Sequence, residues 1–200
     1  MTQDPAPRRG RGRRPAAVVR REILGAAAAT LFEVGLSGVT FEKVAVRAGA
    51  SKMTLYKWWP SPGALALDAY FDAVEDTLAF PESGDVESDL RTQLRHFVDL
   101  LNGEGGSVIA DLIGAAQRDP ELSRAFSTRY SRPRRRLAVD RFELAQRSGQ
   151  IRAEVDVESL VDQLWGACYY RLLVPDLPLD HEAVDQMVSN LLHGIAPTQA

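Results

Sequence analysis

Apolar residues recur at three- and four-residue intervals along almost the whole chain, and no alternating apolar and polar run lasts long enough to make a β-strand. That pattern restricts the chain to an all-α fold. From Ala16 to Val34, Val19, Ile23, Ala27 and Leu31 stand four apart with Leu24 and Ala28 beside them, forming one face of an amphipathic helix that Gly35 is placed to stop. Thr40 is a good N-cap for a second helix from Phe41 to about Ala48, where Gly49 breaks it. Ser51 caps a third through Lys52, Met53, Thr54, Leu55, Tyr56, Lys57 and Trp58, which Pro60 keeps short. Ser61 followed by Pro62 opens a fourth helix predicted to reach about Phe80, before Pro81 and Gly84. Further helices are predicted over about 86–102, 106–118, 120–148, 156–174 and 180–195, with Pro133 the place where the long one could break. The total is about nine.

Charge divides the same chain in two. Residues 1–60 hold 11 Lys and Arg against 4 Asp and Glu, a net of +7, whereas residues 61–200 hold 13 against 23, a net of −10. Such segregation suggests a polyanion-binding module on a body that avoids the polyanion. Residues 1–15, with three Pro, two Gly and five Arg and no apolar periodicity, read as a disordered basic arm. The expected organisation is therefore that arm, a basic helical module over 16–60, and an acidic helical body over 61–200.

Several function classes drop out. No apolar stretch approaches the roughly 18–20 residues that span a bilayer, and the basic N-terminus leads into VVRREIL, which charge interrupts, so no signal-type apolar core follows. A cytoplasmic protein without membrane association is expected. The single Cys168 excludes an internal disulfide framework and lies among apolar residues, where a buried inert thiol is the simplest reading. His96, His181 and His193 lack metal-ligand spacing, and no phosphate-cradling glycine loop follows a strand. No catalytic residue, metal or cofactor is expected, and the chain does not read as an enzyme.

The segment TFEKVAVRAGASKMTLYKWWP meets the requirements of a helix-turn-helix one by one. Val44, Ala45 and Leu55 can make the small core between the crossing helices, and Gly49 can supply the positive-φ residue of the turn. Lys52, Thr54, Tyr56 and Lys57 remain as a polar, cationic and aromatic face suited to phosphates and base edges of double-stranded DNA. A solvated surface hairpin is the competing reading of this segment alone; its place in the basic region, after a support helix and an arginine arm, favours DNA.

Thr40, Val44, Ala45, Ala48, Gly49, Ser51, Thr54, Leu55, Tyr56 and Trp59 together match the pattern T-x-x-x-V-A-x-x-A-G-x-S-x-x-T-L-Y-x-x-W, and on these residues the chain resembles the TetR family of bacterial regulators. The match covers about the first quarter of the chain; the rest resembles the family in architecture only. The resemblance implies that Thr40 caps the second helix and touches a phosphate, that Lys52 and Thr54 lie near base edges, and that Tyr56 and Lys57 hold the backbone. Ser51 and the arm residues Arg11, Arg13 and Arg14 complete the expected DNA-binding set. One departure stands out: where many members carry a Lys after a Pro-Ser pair, this chain has Pro62 after Pro60 and Ser61. A usual phosphate contact is lost there, and the arm arginines could replace it.

In the last helix Val184, Met187, Val188, Leu191, Leu192 and Ile195 form a wide apolar stripe. The helix before it carries Leu160, Leu164 and Cys168 on one face and is apolar almost all round near Trp165, Tyr169, Leu172 and Leu173. Monomer core accounts for part of this. The resemblance implies a homodimer with a two-fold four-helix interface, for which Leu160, Leu164, Cys168, Val184, Met187, Val188, Leu191 and Leu192 are the candidates. Phe97, Leu101, Ile113, Phe126, Tyr130, Trp165 and Tyr169 can fill a core or line a pocket; the resemblance implies that a small apolar or amphipathic molecule binds among them and releases a repressor from a near-palindromic operator. The run Arg132, Arg134, Arg135 and Arg136 could attract an anion, but pairing with Asp140 and Glu143 on a solvated face explains it better. The alternatives are a helical architectural DNA binder without ligand control and, less well supported, a helical enzyme.

Overall fold

Ten α-helices build the computed structural model over the residues it describes, 14–174 and 176–194, and no strand forms among them. The first, α1 (Ala16–Val34), buries Ile23, Leu24, Ala27 and Leu31, the predicted face, and ends at Gly35, whose φ of 72° only glycine adopts without strain. Two short helices follow, α2 (Phe41–Ala48) and α3 (Lys52–Trp58), and α1 packs chiefly against α2 and the next helix, α4 (Pro62–Val74). Ser61 caps α4 by accepting from the Ala64 amide at 3.2 Å, with Pro62 in the first turn where its missing N–H costs nothing.

The α4 helix stops at Val74, six residues before the predicted Phe80. Glu75 and Asp76 place negative charge at the negative end of the helix dipole, and Pro81 disfavours helical backbone at Phe80. The chain tightens into a 3-10 turn over Asp76–Leu78 instead, which still buries Leu78.

The body consists of α5 (Val86–Asn102), α6 (Glu104–Ala116), α7 (Pro120–Phe126), α8 (Arg132–Arg147), α9 (Val157–Leu173) and α10 (His181–His193). Asp85, Asp119, Asp156 and Asp180 cap α5, α7, α9 and α10 through their carboxylates. A π-helical turn over Ser127–Ser131 joins α7 to α8, so the rod stays continuous and does not break at Pro133. Pro133 has no N–H to bond back to the preceding turn, which accounts for the change of register just ahead of it. Counted as one rod with its π turn, this element brings the total to nine. The α5 helix packs against α6 and α10, and α9 lies between α8 and α10.

Candidate functional site

The α2–α3 pair is fixed by local chemistry. The Thr40 hydroxyl accepts from the Lys43 amide at 3.2 Å, and the Ser51 hydroxyl accepts from the Thr54 amide at 3.2 Å while sharing a 2.9 Å hydrogen bond with the Thr54 hydroxyl. Between the helices Gly49 sits at φ 57° and ψ 35°, the left-handed conformation the turn requires. Val44, Ala45 and Leu55 are buried, as their spacing predicts, and Phe41 meets the Tyr56 ring edge-on at 4.6 Å.

With Leu55 and Trp59 turned inward, α3 presents Lys52, Met53, Tyr56 and Lys57 to solvent, and Thr54 is half-buried beside its capping serine. The structure qualifies the free cationic face expected from sequence. Lys52 is paired with Glu42 at 2.6 Å, and its hydrogen bond holds the Glu42 carboxyl below the usual range. A polyanion would have to displace Glu42. Lys43 and Lys57 make no ion pair among the described residues. Arg14 donates to the Gly49 carbonyl at 3.0 Å and pairs with Glu22, so it lies against the turn; Arg11 and Arg13 fall outside the described residues. Met53, exposed next to Lys52, was absent from the expected set although its place on the outer face of α3 was readable from the helical spacing.

Behind this head lies a polar junction that the sequence did not reveal. Asp68 on α4, whose side chain is only 9% exposed, accepts from the Trp59 indole N–H at 2.8 Å, from Arg20 on α1 at 3.2 Å and from Arg129 in the π turn at 2.5 Å. Arg20 also stands 5.6 Å above the Trp59 ring. One carboxylate therefore ties the end of the helix-turn-helix, its support helix and the body together. The residue after Arg129 is Tyr130, which stacks on Phe71 of α4 at 3.6 Å and donates to or accepts from the Tyr169 hydroxyl at 2.8 Å.

Tyr130 and Tyr169 belong to the wall of a cavity of about 280 Å³ inside the body. Phe80, Gln93, Phe97, Arg134 and Trp165 also line it. Burial pushes the Tyr169 hydroxyl well above its ordinary range and raises that of Tyr130, so both act as neutral hydrogen-bonding groups. Of the seven residues proposed from sequence for a pocket, Phe97, Tyr130, Trp165 and Tyr169 line this cavity. The other three lie elsewhere: Leu101 is buried core, Ile113 packs against the core, and Phe126 stacks its edge on Tyr130 outside the cavity wall. Tyr130 and Arg134 also face a wider cleft of about 650 Å³ that runs along Asp68 and Arg129 toward Arg20 and Trp58.

Arg136 does pair with Asp140 and Glu143, but the rest of the arginine run behaves differently. Arg135 is held by Glu158 and Asp162 on α9, and Arg134 donates to the Leu78 carbonyl.

The expected dimer stripe requires correction. Leu160, Leu164, Cys168, Val184 and Val188 are buried within the single chain, where α9 and α10 pack on their neighbours, so they cannot also meet a second chain. Met187, Leu191 and Leu192 are half-exposed, and the large apolar side chains left open at the end of α9 and just after it are Tyr170, Leu173 and Leu177; Ile195 lies outside the described residues. Among the described residues no helix is long and apolar enough to cross a membrane.

This arrangement of a capped helix pair on a helical body matches known proteins along nearly its whole length. Residues 23–69 match a family model described as bacterial regulatory proteins, tetR family, and residues 80–191 match one described as tetracyclin repressor-like, C-terminal domain. The chain is 34% identical over 190 residues to the uncharacterized HTH-type transcriptional regulator YdeS of Bacillus subtilis, spanning 95% of this chain and 96% of that protein. It is 27% identical over 177 residues to the HTH-type transcriptional regulator AqdR of Rhodococcus erythropolis, spanning 85% of this chain and 84% of that protein. The crystal structure of the TetR family transcription regulator SCO0332 superposes with a TM-score of 0.85 at 54% identity, spanning 90% of this chain and 99% of that one.

Proposed function

The chain belongs to the TetR family of DNA-binding transcriptional regulators, and from that premise we propose that it is a homodimeric repressor, released from a near-palindromic operator by a small apolar or amphipathic ligand. Thr40, Ser51, Thr54, Tyr56 and Lys57 make the DNA contacts together with Lys52, which leaves Glu42 for a phosphate or base edge. Arg14, against the turn, adds a cation to the same surface. The dimer forms through the face of α9 and α10 that carries Tyr170, Leu173, Leu191 and Leu192, and its two-fold axis sets the recognition helices about one DNA turn, roughly 34–36 Å, apart.

The observation that carries the release step is the placement of Arg129 and Tyr130 on adjacent positions of one π turn. Arg129 holds Asp68, and with it Trp59 and Arg20; Tyr130 is a wall of the cavity. A ligand that moves Tyr130 moves the latch on the DNA-binding head. Release then follows only to the extent that the ligand prefers the arrangement unfit for DNA.

Deleting the gene and measuring transcription from the promoter that the purified protein protects in a footprint tests the repressor reading. Expression should rise in the deletion strain and the footprint should cover an inverted repeat. A fall in expression would show activation instead, and a footprint without symmetry would remove the dimeric operator.

A further inference from the structure

Gln93 occupies the apolar stripe of α5 formed by Leu90, Leu94, Phe97 and Leu101, and it is fully buried. Among the described residues neither its amide nitrogen nor its carbonyl oxygen has a hydrogen-bond partner. A buried amide with both ends unmet is costly, and a folded chain rarely tolerates it without a use. Gln93 forms part of the wall of the 280 Å³ cavity.

Most of the other polar groups there are already engaged, the exceptions being Ser131 and Arg132, which line the same wall without a hydrogen-bond partner among the described residues. The Tyr130 and Tyr169 hydroxyls satisfy each other at 2.8 Å, Arg135 is held by Glu158 and Asp162, and Arg134 donates to the Leu78 carbonyl. Gln93 differs from Ser131 and Arg132 in being fully buried, an open donor and acceptor pair among aromatic rings, with Phe80 and Trp165 at 5.7 Å and Phe97 and Tyr169 at 5.5 Å between centroids.

Resting on the ligand-release reading, we propose that the ligand is a neutral, flat, mainly apolar molecule that presents an amide- or lactam-type edge to Gln93. The ligand carbonyl accepts from the Gln93 amide nitrogen, its N–H donates to the Gln93 oxygen, and its ring system lies among Phe80, Phe97 and Trp165. The cavity lies just below the roughly 300–1,000 Å³ of ordinary ligand pockets, which favours a small body such as two fused rings.

Isothermal titration of the full chain with 2-naphthamide, methyl 2-naphthoate and 2-naphthoate separates the options, since only the first offers both donor and acceptor and only the last is an anion. On the wild type, 2-naphthamide should bind at least about tenfold more tightly than either other probe. Gln93→Leu should erase that margin while raising the melting temperature and leaving DNA binding intact, because it removes the orphaned amide and touches no part of the head. A preference for 2-naphthoate would make the arginines the readers and overturn the proposal. Equal affinities for the three, no binding by any of them, or an unchanged margin in Gln93→Leu would overturn it as well. Fluorescence anisotropy of labelled operator in the same titrations keeps the two claims apart: 2-naphthamide bound without loss of DNA leaves the Gln93 assignment standing and removes the release reading.

Discussion

Asp68 satisfies three donors from three parts of the chain, and two of them, Arg20 and Arg129, are cations whose side chains are about half-exposed. Screening reduces what those two pairs contribute, but the Trp59 indole is buried and has no water to turn to. Asp68→Ala is therefore expected to cost about 2–3 kcal/mol in urea unfolding, mostly from the orphaned indole N–H, and to weaken the dependence of DNA binding on ligand. Gly49 makes a more local prediction. A Cβ there meets no neighbouring atom, yet its φ of +57° penalises any L side chain, so Gly49→Val should lose about 1–2 kcal/mol and Gly49→Asn less. Cys168 is buried, and burial pushes its thiol up to about 12. An unfolded thiol ionises near pH 8.5, so the native state should lose stability between about pH 8.5 and 12, as the unfolded chain gives up a proton that the folded chain retains. Iodoacetamide should accordingly label Cys168 only on unfolding at pH 8; fast native labelling would contradict its burial. Both Gly49 and Cys168 were legible in the sequence, from a breaker between two caps and from apolar neighbours. Asp68 was not, because its three partners lie 9, 48 and 61 positions away.

At the scale of elements, α2 and α3 were legible almost to the residue because their ends depend on short-range chemistry: a hydroxyl three positions ahead, a glycine, a proline. The α4 helix was overextended because TLAF continues the apolar pattern while acidic residues and Pro81 oppose it. The split of α9 and α10 into buried and open faces was out of reach of periodicity, since an element apolar all round does not say which side meets its own chain. Gln93 carried a signal that could have been used: a carboxamide in the middle of an apolar stripe on α5. The recognition helix itself supports a division of labour. Lys57→Ala should weaken binding to all DNA sequences alike and lower the salt slope by about one, whereas Thr54→Ala should change preference between operator variants by about 1–3 kcal/mol. Binding titrations at several salt concentrations on two operator variants separate these outcomes, and a reversed pattern would exchange the roles assigned to the two side chains.

Across the whole molecule, charge and architecture agree. The net +7 of residues 1–60 divides into +4 over residues 1–15 and +3 over the helix-turn-helix at 40–60, and the net −10 of the remainder covers a body with no reason to approach DNA. The cavity in the body, the π turn beside it and Asp68 at the head are linked through Tyr130 and Arg129, which is where a ligand signal would have to pass. On the proposed reading, two such heads grip one inverted repeat through several phosphates each. Titration of the purified protein against its own upstream DNA at 50 and 200 mM salt decides whether they do. Affinity should fall by about 10³–10⁵ if six to ten phosphates are neutralised, with two chains bound per repeat and a clear preference over scrambled DNA; a shallow salt response, one chain per site, or no sequence preference would contradict it.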